Sequence, residues 1–374
     1  MSQAVIVGYL RSPFTLANKG ALAKTRPDDI AAEVVKALVA KTGVKPDDIE
    51  DLIMGNAFPE GEQGFNIGRM VALLAGLPIT VPGSTINRWC GSSMEAIHIA
   101  AGNIATGKGE VYIAAGVESM TRIPMGGYNP LPNPSLFKNL PDAYISMGLT
   151  AENVAKQCKV DRKAQEDFAL SSHRKAAAAD MSGEIVPIKT RDGVVDKDGT
   201  IRANSTPEDL AKLNPAFDVY GTVTAGTSSP LTDGAAAVLV TSEAYAKKNN
   251  LPILAKIKAM AVVGLDPAMM GLGPIYAVNA ALKKAGLTIK DIDVAEINEA
   301  FAAQAIPCGA QLGIPPEKLN IEGGAIALGH PLGASGARIT GKAALLLSRS
   351  KGKYAISAAC IGGGMGIATV LERA

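Results

Sequence analysis

Shifting the chain on itself by 243 positions lays "KTGVKPDDIEDLIMGNA" (41–57) on "KAGLTIKDIDVAEINEA" (284–300), pairing Gly43 with Gly286, Asp48 with Asp291, Ile49 with Ile292 and Ala57 with Ala300. The same shift sets Cys90-Gly-Ser-Ser on Gly333-Ala-Ser-Gly and "KGEVYIAAGVES" on "KGKYAISAACIG". One offset that serves two separated segments points to duplicated halves about a pseudo-two-fold axis, rather than to chance likeness between unrelated elements. Two such halves share one plan and bury a common face.

That plan is legible in the first half. Apolar runs of strand length, "AVIVG", "DLIMGNA" and "EVYIAAG", alternate with helical stretches such as "DDIAAEVVKALVAKTG". In that helix Ile30, Val34, Ala37 and Leu38 share a face, and Pro27 lies in the N-cap region. The alternation predicts an α/β fold. Near residue 118 the texture changes: "RIPMGGYNPLPNPSLFKNLPDAYISMG" carries five prolines and little periodicity. Two helices follow, with a break near Val160 and Asp161, then a polar hairpin in "RDGVVDKDGTIR", and the insert ends near "GTVTAGTSSPLTDG". The expected organisation is a first half over 1–117 completed by 232–250, an inserted loop domain over 118–231 covering a ligand site, and a second half over 251–374.

The 374 residues are 47% hydrophobic, enough for a well-buried core, and the net charge of +2 is spread evenly. Nothing marks a nucleic-acid or membrane surface. No run reaches the about 18 apolar residues of a membrane span. The start "AVIVGYL", closed by Arg11 and Pro13, reads as a first strand rather than a signal peptide, and the tail "LERA" carries no lipidation or peroxisomal signal. Cys90, Cys158, Cys308 and Cys360 lie far apart with no CxxC pair and only three histidines, which argues against a disulfide framework and a zinc site. A reduced, cytoplasmic setting is expected, where a thiol can do chemistry.

In "NRWCGSSMEAIHIA" (87–100) Cys90 stands immediately before a predicted helix. One reading is packing, with Trp89 as core. The other is a nucleophile whose pKa the helix N-terminus lowers. The repeat brings the matching turn, "GGAIALGHPLGASGARI", into play: His330 lies just before its helix, and equivalent turns of a duplicated pair can face one another across the interface. His330 is then either a base for Cys90 or a structural histidine. His98 and His173 sit on predicted helices and read as structural. Cys360 in "AACIGGGMGIATV" ends an apolar strand before three glycines, and Asn298 and Glu299 in "NEAFAAQ" end the strand "VAEI". The glycines of "CGSS" and "GHPLGASG" leave N–H groups free for an oxyanion.

These four motifs, in this order and spacing, make the whole chain resemble the thiolase family of acyl-CoA acyltransferases, from the first strand to about residue 372. The resemblance implies two pseudo-symmetric α/β halves in an αβαβα layering. It implies thiolysis of a 3-ketoacyl-CoA, with Cys90 as nucleophile, His330 as its base, Cys360 as the second acid/base and Asn298 holding a water. It implies an oxyanion site at the N–H groups of Cys90 and Gly362, with Glu299 orienting His330 or the water. Coenzyme A is implied as a substrate, with no bound cofactor or metal, contacted by Arg202, Ser229, Phe217 and Phe301; Met147 and Met270 match the acyl pocket or plain core.

"TAGTSSPLTDGAAA" and Ser146 before Met147 resemble the degradative branch more than the acetoacetyl-CoA-forming one. The proline-rich excursion is shorter than in the tetrameric enzymes, which favours a homodimer over a homotetramer; a hydratase/dehydrogenase partner fits the same branch. Trp89 stands where the family has a small aliphatic residue. A ketoacyl synthase would carry a histidine at position 360, and a non-catalytic lipid carrier would lack the nucleophile.

Overall fold

A computed structural model describes residues 2–374. Its strands are β1 (Ala4–Arg11), β2 (Thr15–Leu16), β3 (Asp51–Gly55), β4 (Gly83–Ile86), β5 (Val111–Ser119), β6 (Ile188–Thr190), β7 (Gly193–Val195), β8 (Thr232–Ser242), β9 (Ala255–Gly264), β10 (Val294–Ile297), β11 (Tyr354–Ile361) and β12 (Met365–Glu372). The helices are α1 (Pro27–Thr42), α2 (Ile67–Leu74), α3 (Ser92–Thr106), α4 (Pro134–Asn139), α5 (Met147–Cys158), α6 (Arg162–Ala178), α7 (Pro207–Ala211), α8 (Glu243–Lys248), α9 (Gly273–Ala285), α10 (Ala302–Leu312), α11 (Ala325–Leu328) and α12 (Leu332–Arg349). None of them is long and apolar enough to cross a membrane.

One sheet contains all strands except β6 and β7, in the order β10-β11-β12-β9-β1-β8-β5-β3-β4, with β2 on β8. It consists of two mixed arrays of the same order, β1-β8-β5-β3-β4 and β9-β12-β11-β10. A short antiparallel contact, Val5 with Lys256 and Ile6 with Ala255, joins them. The 243-residue offset carries the first residue of β5 onto that of β11 and the last residue of α3 onto that of α12. Gly43 and Gly286 end α1 and α9 in the same left-handed conformation, at φ of 69° and 68°. The copies differ at β4, whose counterpart is reduced to a single bridge between Ala295 and Leu319. Pro315 and Pro316, just before it, have no N–H to extend a ladder.

Helices α3 and α12 run side by side between the two arrays, and α12 touches strands of both. Helix α1 covers the outer face of the first array and α9 that of the second. Three apolar cores fill the spaces. Ile30, Val34 and Leu38 of α1 pack on Val5, Ile113 and Leu239. Ile97 and Ile104 of α3 meet Ala337 and Leu347 of α12. Ile275, Val278 and Leu282 of α9 meet Ile356 and Val370. The face expected for α1 is the buried one, but Pro27 is its first helical residue and Arg26 the cap.

The central crossing is close. A Cβ on Gly336 would overlap the backbone N–H of Met94, and the Ala337 N–H donates to Ser93 Oγ at 2.8 Å. Two charges of α12 are paired inside, Arg338 with Glu296 at 3.0 Å, and Lys342 with Glu184 and Glu322. The insert is tied down by a buried ion group, since Arg11 of β1 donates to Glu184 and to both oxygens of Asp198 at 2.7–2.8 Å. The hairpin pairs β6 with β7 around Arg191 and Asp192, three residues earlier than the sequence predicts.

Two glycine substitutions separate backbone strain from collision. Gly43→Ala has open space for its methyl group. It is expected to cost about 1 kcal/mol through its left-handed conformation alone. Gly336→Ala meets backbone that cannot yield and is expected to cost more, about 3 kcal/mol. Urea unfolding of both variants checks the ordering.

Candidate active site

Cys90 occupies a 3₁₀ turn, Trp89–Gly91, that leads into α3. The turn is pinned from both sides: Trp89 N–H donates to Asn87 Oδ1 at 2.9 Å, while Ser92 Oγ accepts from Arg88 N–H and donates to the Trp89 carbonyl at 2.6 Å. Trp89 is held at φ of 41°, a conformation that a bulky residue adopts only under tertiary constraint. The residue is 36% exposed, which does not fit the core position that the packing reading gave it. The indole lies against Gly362 and Gly363, where added Cβ atoms would come within 3.2 and 2.7 Å of it.

Cys90 is buried among Ala17, Ala57, Met120 and Leu332. Burial pushes the thiol up to about 12; the Gly362 and Cys90 amides pull it down and the Glu118 charge pushes it up. The expectation of a lowered pKa at this helix end is thus reversed, because desolvation outweighs the amide groups. Cys360, at the end of β11, is raised too, by burial first and then by Cys90.

His330 precedes α12 in a turn fixed by its N–H on Thr232 Oγ1 at 3.1 Å. Gly329 allows this turn: its φ is 97°, and a Cβ would sit 2.5 Å from that hydroxyl. Ser335 Oγ spends its proton on the Pro331 carbonyl at 3.0 Å, so at 2.6 Å it accepts from His330 Nδ1–H. This leaves Nε2 as the basic nitrogen, 3.2 Å from Asn298 Nδ2. Burial, with Arg338 second, lowers His330 to about 3, so the imidazole is neutral. Asn298 Oδ1 is buried and accepts no hydrogen bond from the described residues.

Glu299 does not bond to His330. Its oxygens accept from Asn320 Nδ2 at 2.8 Å, Ser172 Oγ at 2.6 Å and Ile326 N–H at 3.2 Å. It holds the segment leading to His330 against the insert helix α6. Met147 and Met270 join Phe301 and Cys360 in one apolar cluster. Phe217 meets Phe301 edge-on with ring centroids 5.8 Å apart. Ser229 N–H donates to the Ala300 carbonyl at 3.0 Å, beside Phe301. Arg202 stands apart, exposed, with its backbone N–H on His173 Nδ1 at 3.1 Å. His98 bonds to Thr369 Oγ1 at 2.9 Å, away from this group.

Three contributors escaped the sequence reading. Thr232 and Ser335 look like ordinary hydroxyls, although the 243-residue offset pairs Ser335 with Ser92, which braces the Cys90 turn. Glu118, the one acid in "VYIAAGVES", is the third.

Two family descriptions match the chain: "Thiolase, N-terminal domain" over residues 4–244 and "Thiolase, C-terminal domain" over 251–373. Proteins named 3-ketoacyl-CoA thiolase are similar throughout: that of Vibrio vulnificus (strain CMCP6) is 46% identical, and that of Bacillus subtilis (strain 168) 44%, each covering 100% of both chains. The crystal structure of human mitochondrial 3-ketoacyl-CoA thiolase superposes with a TM-score of 0.91 at 38% identity, covering 100% of this chain and 99% of that one. A second structure of that human enzyme, in complex with CoA, superposes equally well and covers 98% of its chain.

The neutral imidazole is testable. Two-bond proton–nitrogen spectra of labelled histidine are expected to show His330 as the Nδ1–H tautomer, without protonation as the pH falls through 6.5. The unfolded chain takes up that proton and the folded chain does not, so stability falls as the pH drops below 6.5. His98, lowered to about 3, adds to the same slope.

Proposed function

The chain belongs to the thiolase family, and from that premise we propose that it cleaves 3-ketoacyl-CoA with coenzyme A, giving acetyl-CoA and a shortened acyl-CoA. The observation that carries the reading is the meeting of three motifs: the Cys90 turn lies on the end of β11, with Trp89 against Gly362 and Gly363 and Ile361 against Gly91, while Leu332 of the His330 turn packs on Cys90. In the proposed course the Cys90 proton passes to His330 Nε2 as the sulfur attacks the keto carbon. The N–H groups of Cys90 and Gly362 hold the resulting oxyanion. Collapse breaks the carbon–carbon bond, leaving acyl-Cys90 and the enolate of acetyl-CoA, which takes its proton from Cys360.

The Cys360 thiolate then removes the proton of incoming coenzyme A, whose sulfur takes the acyl group, and the freed Cys90 thiolate takes back the proton held on His330 Nε2. One thioester replaces another, so transfer is close to isoenergetic and runs backward as a Claisen condensation. A water donating to the unpartnered Asn298 Oδ1 has its second hydrogen free for the enolate oxygen. Glu299 supports this site through Asn320 and the Ile326 amide. The edge-on pair Phe217 and Phe301 and the neighbouring Ser229 fit the walls of a pantetheine slot. Exposed Arg202 suits a phosphate, and Met147 and Met270 suit the acyl chain beside Cys360. On this reading 118–231 forms the cover of the coenzyme A site between the halves 1–117 with 232–250 and 251–374. The relatives' names favour the degradative direction over acetoacetyl-CoA formation.

Four unpaired cysteines suit a reducing compartment such as the cytoplasm. A homodimer is the favoured assembly. Strand β4 is a sheet edge, and Phe65, Leu74 and Ile79 beside it are 91%, 51% and 79% exposed. Light scattering is expected to return twice the chain mass; a monomer would remove the dimer from this reading.

Loss of ketoacyl-CoA enolate absorbance on adding coenzyme A tests the activity. Cys90→Ala and Cys360→Ala are each expected to lower kcat by roughly 10³-fold or more. Inactivity of the unaltered protein at every chain length would end the enzymatic reading. A higher kcat/KM for acetoacetyl-CoA than for longer ketoacyl-CoAs would reverse the degradative assignment.

A further inference from the structure

Glu118, next to last in β5, is a buried carboxyl group, and among the described residues no cation is paired with it. Five N–H groups converge on it instead. Oε2 accepts from the Ala57 N–H at 2.8 Å and the Gly333 N–H at 2.9 Å. Oε1 accepts from Gln63 Nε2 at 2.8 Å, Asn56 Nδ2 at 3.2 Å and the Phe58 N–H at 3.3 Å. Only an ionised carboxylate offers two oxygens that accept and never donate, so an amide in its place would turn an NH₂ group against other donors.

The donors come from opposite sides of the molecule. Asn56, Ala57, Phe58 and Gln63 belong to the half that carries Cys90, and Ala57 packs on Cys90 itself. Gly333 is in the first turn of α12, three residues after His330, where the N–H groups have no partner within the helix. The junction is backbone on backbone: a Cβ at Gly333 would sit 2.5 Å from the Val117 carbonyl and 2.7 Å from that of Gly55. His330 can therefore shift toward or away from Cys90 only by breaking the Glu118–Gly333 bond.

We propose that Glu118 is a positioning residue for the acyl transfer, a clamp that fixes the start of the His330 helix to the Cys90 half and so sets the imidazole against the nucleophile. The assignment rests on the thiolysis reading, in which Cys90 and His330 act together. It explains why a carboxylate is kept buried beside a thiol that must become an anion. Burial raises the Glu118 carboxyl to about 7 against the pull of those N–H groups, and above that pH its negative charge raises Cys90, as burial does, and opposes the Gly362 amide. The other titratable group coupled to that thiol is Cys360, neutral at rest.

Glu118→Gln and Glu118→Asp together test the clamp, with the unaltered enzyme assayed in parallel. Glu118→Gln is expected to lower kcat by about 10²-fold, the scale of a misplaced catalytic group, with KM for both substrates changed less than about twofold. Because the charge is gone, Cys90 in that variant is alkylated faster by iodoacetamide at a fixed alkaline pH, although turnover is slower. A purely structural defect has no reason to give that opposite pair. Glu118→Asp keeps the charge but is too short to hold both sides, so kcat falls while alkylation stays near that of the unaltered enzyme. Unchanged kcat in either folded variant overturns the proposal, as does failure of both to fold, since a positioning role leaves a folded, slow enzyme. An unaltered protein without thiolysis would refute the function reading instead.

Discussion

Everything at this site depends on the contact of α3 with α12 between the two sheet arrays. Gly336 removes the side chain that would hold the helices apart, and the Ala337 N–H reaches across to Ser93. Their first turns then lie together: Leu332, at the head of α12, packs in the same cluster as Cys90. Neither helix could be drawn back without opening the apolar core that Ile97, Ile104 and Leu347 form between them. The catalytic geometry is thus a by-product of core packing, which is the least yielding part of a fold.

Burial has a second consequence, which is chemical. Cys90, Cys360 and His330 are all shielded, and each is driven to its neutral form. Among the described residues no cation offsets this at Cys90; the polar groups of the three motifs are the Gly362 N–H, the Asn298 amide and the Ser335 hydroxyl that fixes the imidazole tautomer. Such a site holds little charge at rest and presents aligned dipoles to charge that develops during reaction, which is where fixed N–H groups act most strongly.

The halves, the order of strand and helix, and the buried face of α1 were legible in the sequence because each rests on local periodicity or on the repeat. Cys90, His330, Cys360 and Asn298 were legible because their motifs are short and local. Other features depend on what lies across the fold. Arg11 looks like the polar end of a strand, yet it is wholly buried and anchors the insert through Glu184 and Asp198. Trp89 looks like core, yet it is partly exposed over Gly362 and Gly363. The helix end at Cys90 was read correctly, but the burial that overrides its effect on the thiol was not visible. Glu118, Ser335 and Thr232 gain meaning only from partners that other segments supply.

The duplication itself explains why there is one site and not two. The offset that aligns the halves puts Cys90 opposite Gly333, and Glu118 opposite Ile361. Any side chain at Gly333 would strike the Val117 and Gly55 carbonyls, so the second turn cannot carry a nucleophile while it packs against the first. Its backbone N–H serves instead, on Glu118. At the matching place in the other half, Ile361 packs close to Gly91, apolar where Glu118 is charged. One turn keeps its thiol and the other gives up its side chain to let the two approach, so the asymmetry of the active site is the condition for the symmetry of the fold.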